Sequence, residues 1–143
     1  MKKLIGLGFA LALFASCSDD DSSSVNMDNL EGKWYPVSTK VAGETIEYEH
    51  ETCAKDYIEL LAGGVYKTYE VWGCEGNTVT DSDTETGTYT TSGNKITITL
   101  DGDPNTINVT KLTSSSLHVS YKYDMDEDGE DETTVTEIYS RNP

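Results

Sequence analysis

The chain has 143 residues, of which 26 are Asp or Glu and only 10 are Lys or Arg, giving a net charge of −16 at neutral pH. That balance excludes polyanions as electrostatic partners, because nucleic acid and anionic membrane surfaces are both repelled. The length suits one domain of about 100–200 residues, enough for a single core and too little for two.

Lys2 and Lys3 precede an apolar run, LIGLGFALALF, at residues 4–14. The run is eleven residues long, whereas a spanning helix needs roughly 20. A positive start, a short apolar stretch and the small residues Ala15 and Ser16 have the layout of a secretory signal. Cys17 follows at once, and this small–small–Cys ending resembles the signal of bacterial lipoproteins. Phe14 stands where that pattern usually has Leu, with Leu13 one step earlier. The resemblance implies cleavage before Cys17 and a diacylglycerol on its thiol. Each buried methylene contributes about 0.8 kcal/mol, and two or more chains hold firmly. Cys17 is therefore expected to tie the protein to a membrane without a spanning helix. Residues 1–16 read as the signal, 17–29 as a lipidated polar tether and 30–143 as the domain. Losing Lys2 and Lys3 takes the charge from −16 to −18. The acidic run after Cys17, SDDDSSS, resembles a surface-export signal of one group of Gram-negative bacteria. The expected location is the outer membrane, exposed at the cell surface, with its periplasmic face as the alternative.

Past the tether, short β-rich runs are separated by Gly, Asn, Asp and Ser. LEGKWYPVSTKV (30–41) opens the series and ETIEYE (44–49) is a short second run. DYIELLA and VYKTYEVW flank Gly63 and Gly64, whose freedom at positive φ suits a hairpin turn. GTYTTS and KITITL flank Gly93 and Asn94 in the same way. Ile96, Ile98 and Leu100 alternate with threonines, so one face is buried and one wet. GDPN (102–105) is read as a turn into TINVTKL, with Ile107 and Val109 alternating. LHVSYKY places Leu117, Val119, Tyr121 and Tyr123 on one face, and TTVTEIYSR ends the series. The expected fold is all-β, about eight antiparallel strands in an up-and-down meander. Closure into a barrel removes exposed edges and leaves either a filled interior or room for one small ligand. A two-sheet sandwich is the alternative.

Cys53 and Cys74 remain once Cys17 is set aside. In an exported protein a Cys53–Cys74 disulfide is the default, with a metal site on His50, Cys53 and Cys74 as the rival. The sequence HETCA has Ala54 where the second histidine of a zinc-binding HExxH helix would stand.

The run LEGKW resembles the Gly-x-Trp signature that opens the first strand of lipocalins. CAKDYIELLAGGVY, a second Cys, TGTYTTSGNKITITL and LTSSSLHV follow in order. That order resembles the lipocalin-like domain of small secreted Gram-negative lipoproteins. The resemblance implies an up-and-down barrel with Trp34 plugging its closed end, the Cys53–Cys74 bridge and a ligand cavity.

Nine Tyr and two Trp stand against two Phe. Tyr and Trp join an apolar body to a polar tip, and Tyr69, Trp72, Tyr89 and Tyr121 are expected to face inward and line a cavity. The run DMDEDGEDE spaces Asp124, Asp126 and Asp128 at alternate positions before Gly129, as a calcium loop does. Val135 occupies the twelfth place, so no EF-hand forms. A looser calcium site would use Asp124, Asp126, Asp128 and the carbonyl of Glu130, with a solvated acidic tip as the alternative. Nucleophile elbows, phosphate loops and dinucleotide turns are absent from the sequence. The expected function is non-catalytic: binding a small, partly apolar ligand, or else serving as an accessory module with a filled core in an envelope complex.

Overall fold

A computed structural model describes residues 25–124 and 133–143. A 3₁₀ turn, Met27–Asn29, is capped by the Asn26 side chain, which accepts from the Asp28 N–H. Nine strands follow: β1 (Gly32–Val41), β2 (Glu44–Glu47), β3 (Tyr57–Leu61), β4 (Val65–Glu75), β5 (Thr78–Ser92), β6 (Lys95–Leu100), β7 (Asp103–Leu112), β8 (Ser116–Tyr123) and β9 (Thr133–Ser140).

Every strand pair is antiparallel, and β3 to β9 run as an unbroken meander. β1 pairs with β3 over Gly32–Trp34 and with β9 from Tyr35 to Val41, which closes the sheet into a ring of β1 and β3–β9. The barrel reading therefore holds and the sandwich does not. The ninth strand, β2, lies outside the ring and pairs with Ser38–Val41 of β1. A bulge between Pro36 and Ser38 bends β1 where it parts from β3.

The expected hairpins form at Gly63–Gly64 and at Gly93, all with positive φ. Two boundaries differ from expectation. Strand β5 begins at Thr78, well before GTYTTS, because the polar, acidic stretch 78–86 is hydrogen-bonded to β4. Strand β7 begins at Asp103, because Leu100 pairs with Asp103 and Asp101–Gly102 alone make the turn.

Alternation sorts the walls. Ile96, Ile98 and Leu100 of β6, Leu117, Val119 and Tyr121 of β8, and Val135, Glu137 and Tyr139 of β9 share the inner face. Leu30, Trp34, Leu60, Tyr89, Ile96, Val109 and Leu117 pack into one buried cluster that fills the closed end, and of these Leu60, Ile96 and Leu117 also wall the cavity.

Candidate functional site: the barrel lumen and its seam

The closed end depends on one tryptophan and one arginine. Trp34 is fully buried, and its indole N–H donates to the Leu30 carbonyl at 2.8 Å. The Arg141 guanidinium, from the end of β9, lies 3.7 Å above the Trp34 ring. It also donates to the carbonyls of Asn29, Glu31 and Lys33, stitching the incoming chain to the first strand. Gly32 permits this approach. Its φ is +114°, and a Cβ there would stand 2.2 Å from an Arg141 nitrogen.

Past this core the barrel is hollow. A cavity of about 430 Å³ is walled by Ile58, Leu60, Ile96, Ile98, Leu100 and Ile107, with Tyr66, Tyr121, Tyr123 and Tyr139 among them. That volume lies in the range of small-molecule sites. The polar lining is sparse: Asp103, Asn105, Lys122 and Glu137. At the mouth, Thr39, Val41, Tyr121, Tyr123 and Val135 outline a shallower hollow.

Glu137 is the central polar group. Its Oε1 accepts from the Tyr121 hydroxyl at 2.9 Å, and its Oε2 accepts from the Tyr139 hydroxyl. Burial, followed by the nearby Glu137 charge and the hydrogen bond to it, pushes the Tyr121 pKa up to about 12. The same causes, in the same order, hold Tyr139 well above the usual phenol range.

A second cavity of about 290 Å³ opens at the seam where β1 leaves β3. It shares Ile58, Tyr66, Glu137 and Tyr139 with the lumen. The segment between β2 and β3 covers this seam through buried Asp56. Its Oδ2 accepts from the Tyr48 hydroxyl at 2.8 Å and its Oδ1 from the Val71 N–H at 2.7 Å. The Asp56 N–H donates to His50 Nδ1 at 3.1 Å, which leaves Nε2 to donate to the Pro36 carbonyl at 3.0 Å. His50 is thus the neutral Nε2–H tautomer, and the 3.7 Å separation of Nδ1 from Asp56 Oδ2 is not an ion pair. The Cys53–Cys74 disulfide, with Cα atoms 5.8 Å apart, clips the segment to β4. That bond takes the place of the rival metal site, whose histidine is already occupied at both nitrogens.

The four aromatics expected to line a cavity are dispersed. Tyr121 lines the lumen. Tyr69 borders the seam cavity, its ring 5.2 Å from that of Tyr57. Tyr89 is buried in the core cluster, outside the cavity lining, and donates its hydroxyl to the Leu61 carbonyl. Trp72 is 53% exposed and corrects the inward expectation. In the β4–β5 pairing Val71 stands opposite Ser82 and Gly73 opposite Asp81, so Trp72 is the residue skipped at a bulge, and it faces solvent while Val71 is buried. Cys17 and the loop residues Asp126, Asp128 and Glu130 lie outside the described residues, so the lipid and the calcium reading stay expectations. Asp124 is described, just past the end of β8.

The residue that sequence reading missed is Glu137. Its signal was present in TTVTEIYSR, where a carboxylate sits in period-two register between Val135 and Tyr139.

A closed antiparallel barrel, plugged by tryptophan at one end and hollow at the other, defines the lipocalin class of folds. The chain belongs to the lipocalin-like domain family, whose profile matches residues 30–119. The fold is similar to a crystal structure of a lipocalin-like protein from Bacteroides uniformis, at TM-score 0.56 and 19% identity, covering 78% of this chain and 97% of that one. It is also similar to a crystal structure of an uncharacterized protein from Bacteroides eggerthii, at TM-score 0.53 and 14% identity, covering 77% and 97%. No curated protein matches the chain.

Proposed function

We propose that this protein is a lipid-anchored, non-catalytic binder that holds a small, partly apolar molecule in its barrel lumen. The carrying observation is the cavity itself: about 430 Å³, walled mainly by aliphatic and tyrosine side chains, with charged or amide groups at a few points. Sites that bury small ligands have this make-up, with apolar walls for affinity and sparse polar groups for orientation. The accessory-module reading needs a filled core, and the open lumen argues against it.

The anchor rests on the signal ending at Cys17, and surface display on the acidic run behind it. A short, polar tether would leave the barrel mobile at the membrane and its mouth open to solutes.

Native mass spectrometry of the protein purified from its own host tests both parts. The expected species carries a diacylglycerol on Cys17 and a retained small molecule. An Ile98→Trp variant, which fills the lumen, is expected to lose the small molecule and keep the lipid. An unmodified Cys17 would remove the anchor, and a small molecule retained in full by Ile98→Trp would remove the lumen as its site. Protease shaving of intact cells decides the leaflet, since full protection places the domain on the periplasmic face.

A further inference from the structure

The largely apolar lumen has a carboxylate in its wall. Glu137 stands on the inner face of β9 and borders both the lumen and the seam cavity. An ionised carboxylate offers about four acceptor positions, and two tyrosine hydroxyls occupy one on each oxygen. Acceptor capacity on each oxygen therefore remains. Among the described residues no Lys, Arg or His forms an ion pair with Glu137. Lys122 is the one cationic residue in the described lining.

The surrounding field has the same sign. Tyr66, which lines both cavities, is pushed up to about 12 by burial first and then by Glu137, Glu85 and Glu70. Asp103 adds a further carboxylate to the lumen wall. An anionic head entering here would meet like charge, whereas a cation would be attracted by the same carboxylates. Tyr121, Glu137 and Tyr139 all lie beyond residues 30–119, the part matched by the family.

We propose that the lumen selects amphiphiles with a cationic, hydrogen-bond-donating head, a protonated amine above all, seated on Glu137 with its tail against Ile96, Ile98, Leu100 and Ile107. An ammonium carries three N–H donors and no acceptor, which complements a carboxylate already oriented by two hydroxyls. Charge-assisted contacts of this kind are roughly twice as strong as neutral ones. The inference rests on the lumen-binding reading and adds the head-group class to it.

Calorimetry with n-octylamine, n-octanol and n-octanoate at neutral pH separates the two claims. The chain from residue 17 is used with Cys17→Ser, so that no lipid tail competes for the probes. The expected order is amine, then alcohol, then carboxylate, with the amine about tenfold or more tighter than the alcohol, which is about 1.4 kcal/mol. Glu137→Gln keeps the shape and removes the charge. It is expected to weaken the amine about tenfold and leave the alcohol within about threefold, and the retained alcohol binding also shows that the variant folds. Octanoate binding as tightly as the amine overturns the head-group inference and leaves the lumen reading standing. An amine affinity unchanged by Glu137→Gln does the same. Failure of all three probes to bind overturns both.

Discussion

The Arg141 guanidinium lies 3.7 Å above the indole ring of Trp34, joining the last strand to the first across the closed end of the barrel. Over a hundred residues separate the two in sequence. The contact is backed by hydrogen bonds from the same guanidinium to the carbonyls of Asn29, Glu31 and Lys33. The Gly-x-Trp pattern thereby acquires a reason: the glycine is where the arginine passes.

Gly32→Ala is therefore expected to destabilise the fold. It strains a backbone at φ +114° and drives a Cβ into the guanidinium. The cost should be about 1–3 kcal/mol, read as a lower urea midpoint. Arg141→Ala should lower the midpoint as well, and an unchanged midpoint in both variants would mean that the closed end is not held in this way.

The two tryptophans should behave oppositely. Trp34 is fully buried and Trp72 is 53% exposed. Trp34→Ala should cost about 3–5 kcal/mol, and Trp72→Ala should stay within about 0.5 kcal/mol. Acrylamide is expected to quench one tryptophan readily and the other hardly at all. Uniform quenching would contradict the placement of Trp72.

Reduction of Cys53–Cys74 should loosen the cover of the seam cavity. The bond spans 21 residues, a loop for which chain entropy suggests roughly 3 kcal/mol of stabilisation. A paired Cys53→Ala/Cys74→Ala variant should lose about that much. Hydrogen exchange should rise first at the Asp56 and Val71 amides, which this segment orders. Protection unchanged at both amides would show that the Asp56 contacts, not the disulfide, hold the seam.

The inner tyrosines predict an alkaline transition. Tyr66 and Tyr121 are each raised from 10.0 to about 12 in the folded state. The unfolded chain thus releases these protons first. Their contribution to stability is complete below pH 10 and is lost as pH climbs through 12. Ultraviolet titration should show several of the nine tyrosines ionising late, together with unfolding. In Glu137→Gln, Tyr121 should titrate closer to its ordinary value. A single step for all tyrosines near pH 10 would contradict the packed hydroxyls around Glu137.

Alternation is a local property, which is why so much of the barrel was legible. Ile96, Ile98 and Leu100, and likewise Leu117, Val119 and Tyr121, announce an inner face within a single run. Where alternation fails, so did the reading. The stretch 78–86 is polar apart from Val79 and looks like a loop, yet it is strand because β4 supplies its hydrogen bonds. Trp72 looks like a wall residue until a register shift turns it outward.

From the sequence alone came the all-β meander, the turns at Gly63–Gly64 and Gly93–Asn94, the pairing of Cys53 with Cys74 and the expectation that Trp34 fills one end. Periodicity, turn chemistry and the oxidation state of exported cysteines are written in short stretches of chain. Closure of β1 on β9, the size of the lumen and the seating of Glu137 between Tyr121 and Tyr139 required the tertiary structure. The register that sets Tyr121 opposite Val135 belongs to two strands at once. A carboxylate becomes a recognition group only when such a register surrounds it with hydroxyls and apolar walls.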